Sequence, residues 1–272
     1  MSASRLAHPG REGARDDGRV SRARQTAGAR AVLELTPGRR PKWRAYLLLS
    51  RISNLPTVWS NVIAGAVASG AAFTPFDIGW LAAGVSFLYT AGMLLNDLFD
   101  RDSDAKYRPD RPLPAGDVRL VEVMRAAIIM MAIGVGMIAG RGSAVTTLPW
   151  CGALVLAIVY YNWRHKRDPL GPLWMGICRG LVYCVAASAV ASFVPTRVFI
   201  AAGAMTLYVV ALTQIAKRLG PRAGVVVPRL IAGISLVDAA VVMATGGNVP
   251  LALIAVVCGV LTLGFQRVVP GT

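Results

Sequence analysis

Of the fourteen acidic side chains in 272 residues, four crowd into eight positions: Asp97, Asp100, Asp102 and Asp104. Asp97, Asp100 and Asp104 stand at i, i+3 and i+7, so on a helix they share one face over two turns, with Asn96 beside them. Like charges this close are unfavourable unless a cation lies among them. Carboxylate and amide oxygens are the ligands Mg²⁺ takes, and Mg²⁺ commonly shares its shell with substrate phosphates. Lys106, Arg108 and Arg111 follow, then Pro112-Leu113-Pro114-Ala115-Gly116. Cations within reach of such a cluster suit a substrate with a multiply charged phosphate group. The plain alternative is a solvated acidic loop balanced by its own arginines; the regular spacing speaks against it.

Other polar residues carry weaker signals. Arg179 and Asp238 fall inside apolar stretches, where an ionisable group faces a partner or a cavity. Either each is held by another helix, one candidate being the other of the pair, or both line a substrate pocket. Arg51 either snorkels to an interface or touches substrate. Asp168 lies close to Lys166 and Arg167 and reads as a loop ion pair. With only His8 and His165 in the chain, a histidine metal site is not expected. Cys151, Cys178, Cys184 and Cys258 lack metal-type spacing and read as core packing.

The elements that must position these residues are membrane spans. The chain is 55% hydrophobic and 16% charged, with a mean hydropathy of +0.54, far greasier than an average soluble domain. A soluble α/β enzyme, a disordered protein and a disulfide-built secreted module are disfavoured. Apolar stretches near 47–70, 77–95, 121–140, 143–161, 173–193, 196–216, 225–244 and 249–266 are each of spanning length. They are expected to be α-helical, because lipid offers no partner for an open backbone. If the basic start of the chain is cytoplasmic, the loops on its side carry twelve Lys/Arg and the opposite loops only Arg141 and Arg197. That asymmetry favours eight spans with both termini inside. The fold class is an all-α polytopic transmembrane helical bundle.

Residues 1–44 hold eleven Lys/Arg against four acids and read as a disordered basic cytoplasmic tail able to touch anionic lipid; residues 45–272 form the membrane domain. The formal net charge of +15 is accounted for by this tail and the loops, so no nucleic-acid partner is expected.

The stretch Asn96-Asp97-x-x-Asp100-x-x-x-Asp104, then Arg108, then Arg111-Pro112-Leu113-Pro114-Ala115-Gly116 resembles the first motif of the UbiA superfamily of intramembrane prenyltransferases. Tyr160-Tyr161 with Lys166-Arg167 is similar to a second family feature, and Arg51, Asn54, Pro56 and Asn61 to the start of its first helix. The resemblance covers roughly residues 45–266. Leu170-Gly171-Pro172 with Met175-Gly176-Ile177-Cys178-Arg179-Gly180 looks most like a divergent bacterial branch, the UbiA-like proteins of the ebo gene cluster.

The resemblance implies a helical bundle in the bacterial cytoplasmic membrane whose cytoplasmic cap holds Mg²⁺ and a prenyl diphosphate, with a lipid-open tunnel for the prenyl tail. Asn96, Asp97, Asp100 and Asp104 would be the metal residues, the three aspartates catalytic. Arg108, Lys166, Arg167, Lys217 and Arg218 would contact diphosphate. Arg51, Asn54, Tyr160, Arg179 and Asp238 would face the acceptor or tunnel.

One departure stands out. The family's second D-x-x-x-D motif is replaced by Thr213-Gln214-Ile215-Ala216-Lys217-Arg218, and only Glu122, Asp168 and Asp238 are acidic after residue 117. Either one Mg²⁺ suffices, with Lys217 and Arg218 replacing the charge of a second, or diphosphate ionisation has been lost. The leading expectation is a prenyltransferase acting on an isoprenyl diphosphate and an unidentified acceptor. The alternatives are an inactive lipid-binding scaffold and, further off, a small-molecule transporter.

Overall fold

The computed structural model describes residues 40–166, 168–191, 193–220 and 223–269. Among these residues the structure is helical, without strands: α1 (Lys42–Leu49), a 3₁₀ turn (Ile52–Asn54), α2 (Leu55–Ser69), α3 (Pro75–Tyr107), α4 (Leu120–Ala139), α5 (Ala144–Arg164), α6 (Gly171–Val190), α7 (Thr196–Arg218), α8 (Ala223–Ala244) and α9 (Val249–Gln266). Seven of them, α3 to α9, are long and apolar enough to cross a membrane by length and composition. Their outer faces are rich in exposed aliphatic residues such as Ile128, Ile129, Leu207 and Val260, as a lipid-facing surface requires.

The stretch expected as one span over 47–70 is broken. Arg51 has a left-handed backbone (φ 44°, ψ 46°), and Pro56 near the start of α2 lacks the N–H that would carry helix through from α1. Beyond the break α2 is buried almost all round, from Pro56 to Ser69 with only Trp59 partly exposed. It packs against α3, α6, α7, α8 and α9 and forms the central post of the bundle. Gly65 allows the tightest of these approaches: a Cβ there would lie 2.7 Å from Tyr183 Cα and 2.8 Å from Tyr183 O.

α3 runs well past the apolar stretch that predicts it. Thr74 and Asp77 cap its start reciprocally, as a capping box does. No glycine or proline interrupts it between Gly92 and Pro109. It stops at Tyr107, just ahead of Arg108-Pro109, where the residue before proline avoids the α region.

The bundle has two distinct ends. At one, Gln266 Nε2 donates to Asn54 Oδ1 (2.8 Å), Lys42 Nζ pairs with Glu122 (3.0 Å), and the Arg40 backbone N–H donates to Asp117 Oδ1 (3.2 Å). At the other, Arg141 pairs with Asp77 and Arg197 Nη2 donates to Ser69 O (2.8 Å). Both ends of the described chain therefore meet at the same end of the bundle, in keeping with an even number of traverses. Residues 40–44, expected in the tail, belong to the helical body, because Arg40 and Lys42 are anchored to Asp117 and Glu122; the rest of that tail lies outside the described residues.

Replacing Gly65 by Ala should lower stability by about 1–3 kcal/mol, since backbone must move to admit the methyl group. Gly136→Ala, where a Cβ meets nothing within 4 Å, should be neutral or slightly stabilising. The thermal unfolding midpoints of the two variants in detergent check the contrast.

Candidate active site

The extension of α3 carries the acidic motif. Asn96, Asp97, Asp100 and Asp104 are all less than a tenth exposed, while the intervening Phe99, Arg101 and Asp102 point outward. The helical spacing read from the sequence is thus realised, with one polar face turned inward over two turns.

Cations reach that face from three other parts of the chain. Arg111 Nη1 lies 2.6 Å from Asp97 Oδ1 and 3.3 Å from Asp104 Oδ2, bridging the two. Arg51 Nη2 donates to Asn96 Oδ1 (3.0 Å) and lies 3.6 Å from Asp97 Oδ1. Lys166 Nζ is 2.7 Å from Asp100 Oδ1, with His165 Nε2 at 3.4 Å. Each cation is placed by local backbone. Arg51 occupies the left-handed position at the α1–α2 break, a conformation unfavourable by roughly 1–2 kcal/mol for a residue with a Cβ. Arg111 stands in the segment between α3 and α4, closed by Ala115 N–H to Arg111 O (2.9 Å) and Asp117 N–H to Pro112 O (3.0 Å). Arg40 holds that segment through Asp117 and the Asp110 carbonyl. His165 and Lys166 follow the last turn of α5.

Beneath the cap opens a cavity of about 500 Å³. Arg51, Asn54, Asn96, Arg108 and Arg111 line its polar end; Val58, Val85, Leu88, Leu154, Ile158 and Val182 supply aliphatic wall, and Arg179 faces it from α6. Asn162 also lines it, with Nδ2 donating to the Gly92 and Ile158 carbonyls. Both partners are acceptors, so the amide orientation is settled and Oδ1 is left without a partner.

The remaining expected residues divide. Arg108 and Asn54 reach the cavity. Tyr160 does not: its ring lies 4.4 Å from that of Trp174 and its hydroxyl points to Asp168 Oδ2 (3.4 Å). Tyr161, one residue and about 100° further round the helix, lines the cavity instead. Lys217 and Arg218 are exposed in the last turn of α7; the face of α7 turned inward carries Val209, Leu212, Thr213 and Ala216, so neither cation joins the others. Arg167 lies outside the described residues. The expected loop ion pair of Lys166 with Asp168 is absent, because Lys166 is drawn to Asp100 and Asp168 Oδ1 accepts from the Leu170 N–H (2.8 Å).

Arg179 and Asp238 are linked through a third residue. Asp238 is fully buried and accepts from Ser60 Oγ (2.5 Å), Asn61 Nδ2 (2.8 Å) and the Tyr183 hydroxyl. Arg179 donates to Asn61 Oδ1 (2.8 Å) and Thr57 Oγ1 (3.0 Å), with its guanidinium 5.7 Å from the Tyr89 ring centre. Asp238 is a satisfied interhelical strut that does not reach the cavity. The bridging role of Arg111 and the approach of His165 to Asp100 were not assigned from sequence. Only the R-P pair following the aspartates hinted at the first, and nothing in the spacing showed the second.

As a donor set, three aspartates and an asparagine oxygen suit Mg²⁺ chemically. In this arrangement Arg111, Arg51 and Lys166 meet the carboxylates. Among the described residues, no three His, Cys, Asp or Glu side chains converge on one point.

Residues 54–269 match the model of the UbiA prenyltransferase family. The chain belongs to that family. It is 33% identical over 129 residues to a digeranylgeranylglyceryl phosphate synthase of Methanopyrus kandleri, covering 47% of this chain and 46% of that protein. It is 32% identical over 129 residues to a 4-hydroxybenzoate octaprenyltransferase of Pectobacterium atrosepticum, covering 44% and 43%. The chain thus spans about half the length of the curated relatives it matches. A UbiA homolog from Archaeoglobus fulgidus, solved with DMAPP and Mg²⁺, shares the fold with a TM-score of 0.55 at 15% identity, over 82% of this chain and 86% of that one. Family membership and the seven long apolar helices make this UbiA-family chain an integral membrane protein.

Asp238→Ala would leave Ser60, Asn61 and Tyr183 without their shared acceptor at the centre of the bundle. Breaking such a buried charged network costs about 3–5 kcal/mol. The thermal midpoint of the variant should fall steeply; an unchanged midpoint would show that the network does not hold α2, α6 and α8 together.

Proposed function

We propose that this protein transfers an isoprenyl group from a prenyl diphosphate to an acceptor, with the diphosphate at the cap and the prenyl tail in the cavity. The observation that carries the reading is the juxtaposition of the buried α3 carboxylate face with Arg51, Arg108 and Arg111 at the mouth of an aliphatic cavity. Asn96, Asp97, Asp100 and Asp104 would hold Mg²⁺. When bound, the ion supplies neutralisation of the departing diphosphate.

The chain's own residues do the rest. Arg51, Arg108, Arg111 and Lys166 bind and orient phosphate oxygens, a task the guanidinium fork suits. Arg111 and Lys166 are shared between carboxylates and substrate, so they exchange partners as the donor enters. The C–O bond of the donor breaks with its electron pair leaving on the diphosphate. The allylic carbon then accepts an electron pair from the acceptor, which gives up a proton. Val58, Val85, Leu88 and Leu154 exclude water that would otherwise capture the cation, and the ring faces of Tyr89 and Tyr161 stabilise positive charge beside them. With Lys217 and Arg218 outside the cavity, the cap arginines and Lys166 stand in for the charge of a second ion. The excess of basic loops at the cap end supports an active site facing the cytoplasm.

Turnover of radiolabelled geranyl diphosphate in nanodiscs with lipid extract as acceptor source tests the proposal. Release of diphosphate should require Mg²⁺ and fall at least 100-fold in Asp100→Ala. Tight binding without release would point to a lipid-binding scaffold instead. In the same assay Arg111→Ala should weaken donor affinity at least tenfold, whereas Lys217→Ala should change it less than threefold.

A further inference from the structure

Prenyl transfer accounts for the cap and for the aliphatic walls but leaves Arg179 without a task. Its guanidinium reaches the cavity from the middle of α6, eight residues and about 12 Å below that helix's start. A charged group at such depth is expensive unless it has a partner or a function. Two of its five N–H donors are used, by Asn61 and Thr57, which leaves three. Among the described residues no carboxylate forms an ion pair with it; the oxygens of Asp238 are held by Ser60, Asn61 and Tyr183. Asn61 stands between the two charges, donating to Asp238 and accepting from Arg179. This fixes the guanidinium in place without neutralising it directly. A strut serving only to hold the helices together would gain more from a direct Arg179–Asp238 contact.

We propose that Arg179 recognises the acceptor, and that the acceptor is a monocarboxylate whose carboxylate binds this guanidinium while its nucleophile points towards the cap. The inference rests on the prenyl-transfer reading for the location of the donor. The single charge follows from the lining. The other charged residues of the cavity, Arg51, Arg108 and Arg111, belong to the cap, so a dianionic phosphate at Arg179 would keep one uncompensated charge in apolar surroundings. A carboxylate takes two parallel hydrogen bonds from one guanidinium and is matched in charge. The span also fits. Tyr89, beneath the Arg179 guanidinium, lies seven residues from Asn96 on α3, about 10 Å along the helix. A single aromatic ring or a short chain therefore bridges from Arg179 towards the allylic carbon held at the cap.

The test uses the full chain in nanodiscs with Mg²⁺, titrated with matched acid and amide pairs: 4-hydroxybenzoate against 4-hydroxybenzamide, and hexanoate against hexanamide. At least one acid should bind the wild type tenfold or more tightly than its amide. That preference should fall below twofold in Arg179→Gln and return in part in Arg179→Lys, which restores charge without the fork. Acids and amides binding alike in the wild type, or a preference that survives in Arg179→Gln, would overturn the proposal. Geranyl diphosphate binding, measured separately on each protein, shows that the bundle is intact. If the wild type binds no donor while the acid preference persists, it is the prenyl-transfer reading that has failed.

Discussion

Three carboxylates on one face of one helix repel each other, and burying them raises the penalty further. The arrangement at Asp97, Asp100 and Asp104 is tolerable only because positive charge is brought to it from distant parts of the chain. That requirement organises the cap. It explains why a non-glycine residue, Arg51, holds a left-handed backbone at the break between α1 and α2. It explains why the segment after α3 folds back so that Arg111 bridges Asp97 and Asp104, and why Lys166 leaves its neighbour Asp168 for Asp100. Arg40 at the edge of the described chain joins the same system by fixing Asp117.

The same electrostatic demand makes the site suitable for chemistry. Cations that can neutralise buried carboxylates can also neutralise a diphosphate, and a metal entering among the carboxylates frees them to do so. Below the cap the demand is reversed: the walls are aliphatic, and the only charge is a guanidinium fixed through Asn61 and Thr57. A cavity with a polyvalent cationic mouth and a single buried cation further in is built for two ligands of different charge.

The architecture was largely legible in the sequence because membrane spans announce themselves by length and composition, and because helical period places i, i+3 and i+7 together whatever the surroundings. Local breaks were less so. The kink at Arg51 depends on a backbone angle that no residue preference signals, although Pro56 marks its far side. Side-chain choices between neighbours were hardest. Tyr160 or Tyr161, and Ala216 or Lys217, differ only by a rotation of about 100° on their helices, and tertiary packing decides which one faces inward. The pairing of Lys166 with Asp100 instead of Asp168 joins residues far apart in sequence and could not be read from spacing.

The account's central claim is that the α3 carboxylate face and its cations hold a metal together with a diphosphate. Pulsed electron paramagnetic resonance tests this most directly, with Mn²⁺ in place of Mg²⁺ and a non-hydrolysable geranyl thiodiphosphate as donor. The account predicts one bound Mn²⁺ per chain with resolved ³¹P hyperfine coupling, lost in Asp97→Asn and Asp100→Asn. No bound ion with the donor present, or a coupling that persists in both variants, would contradict it.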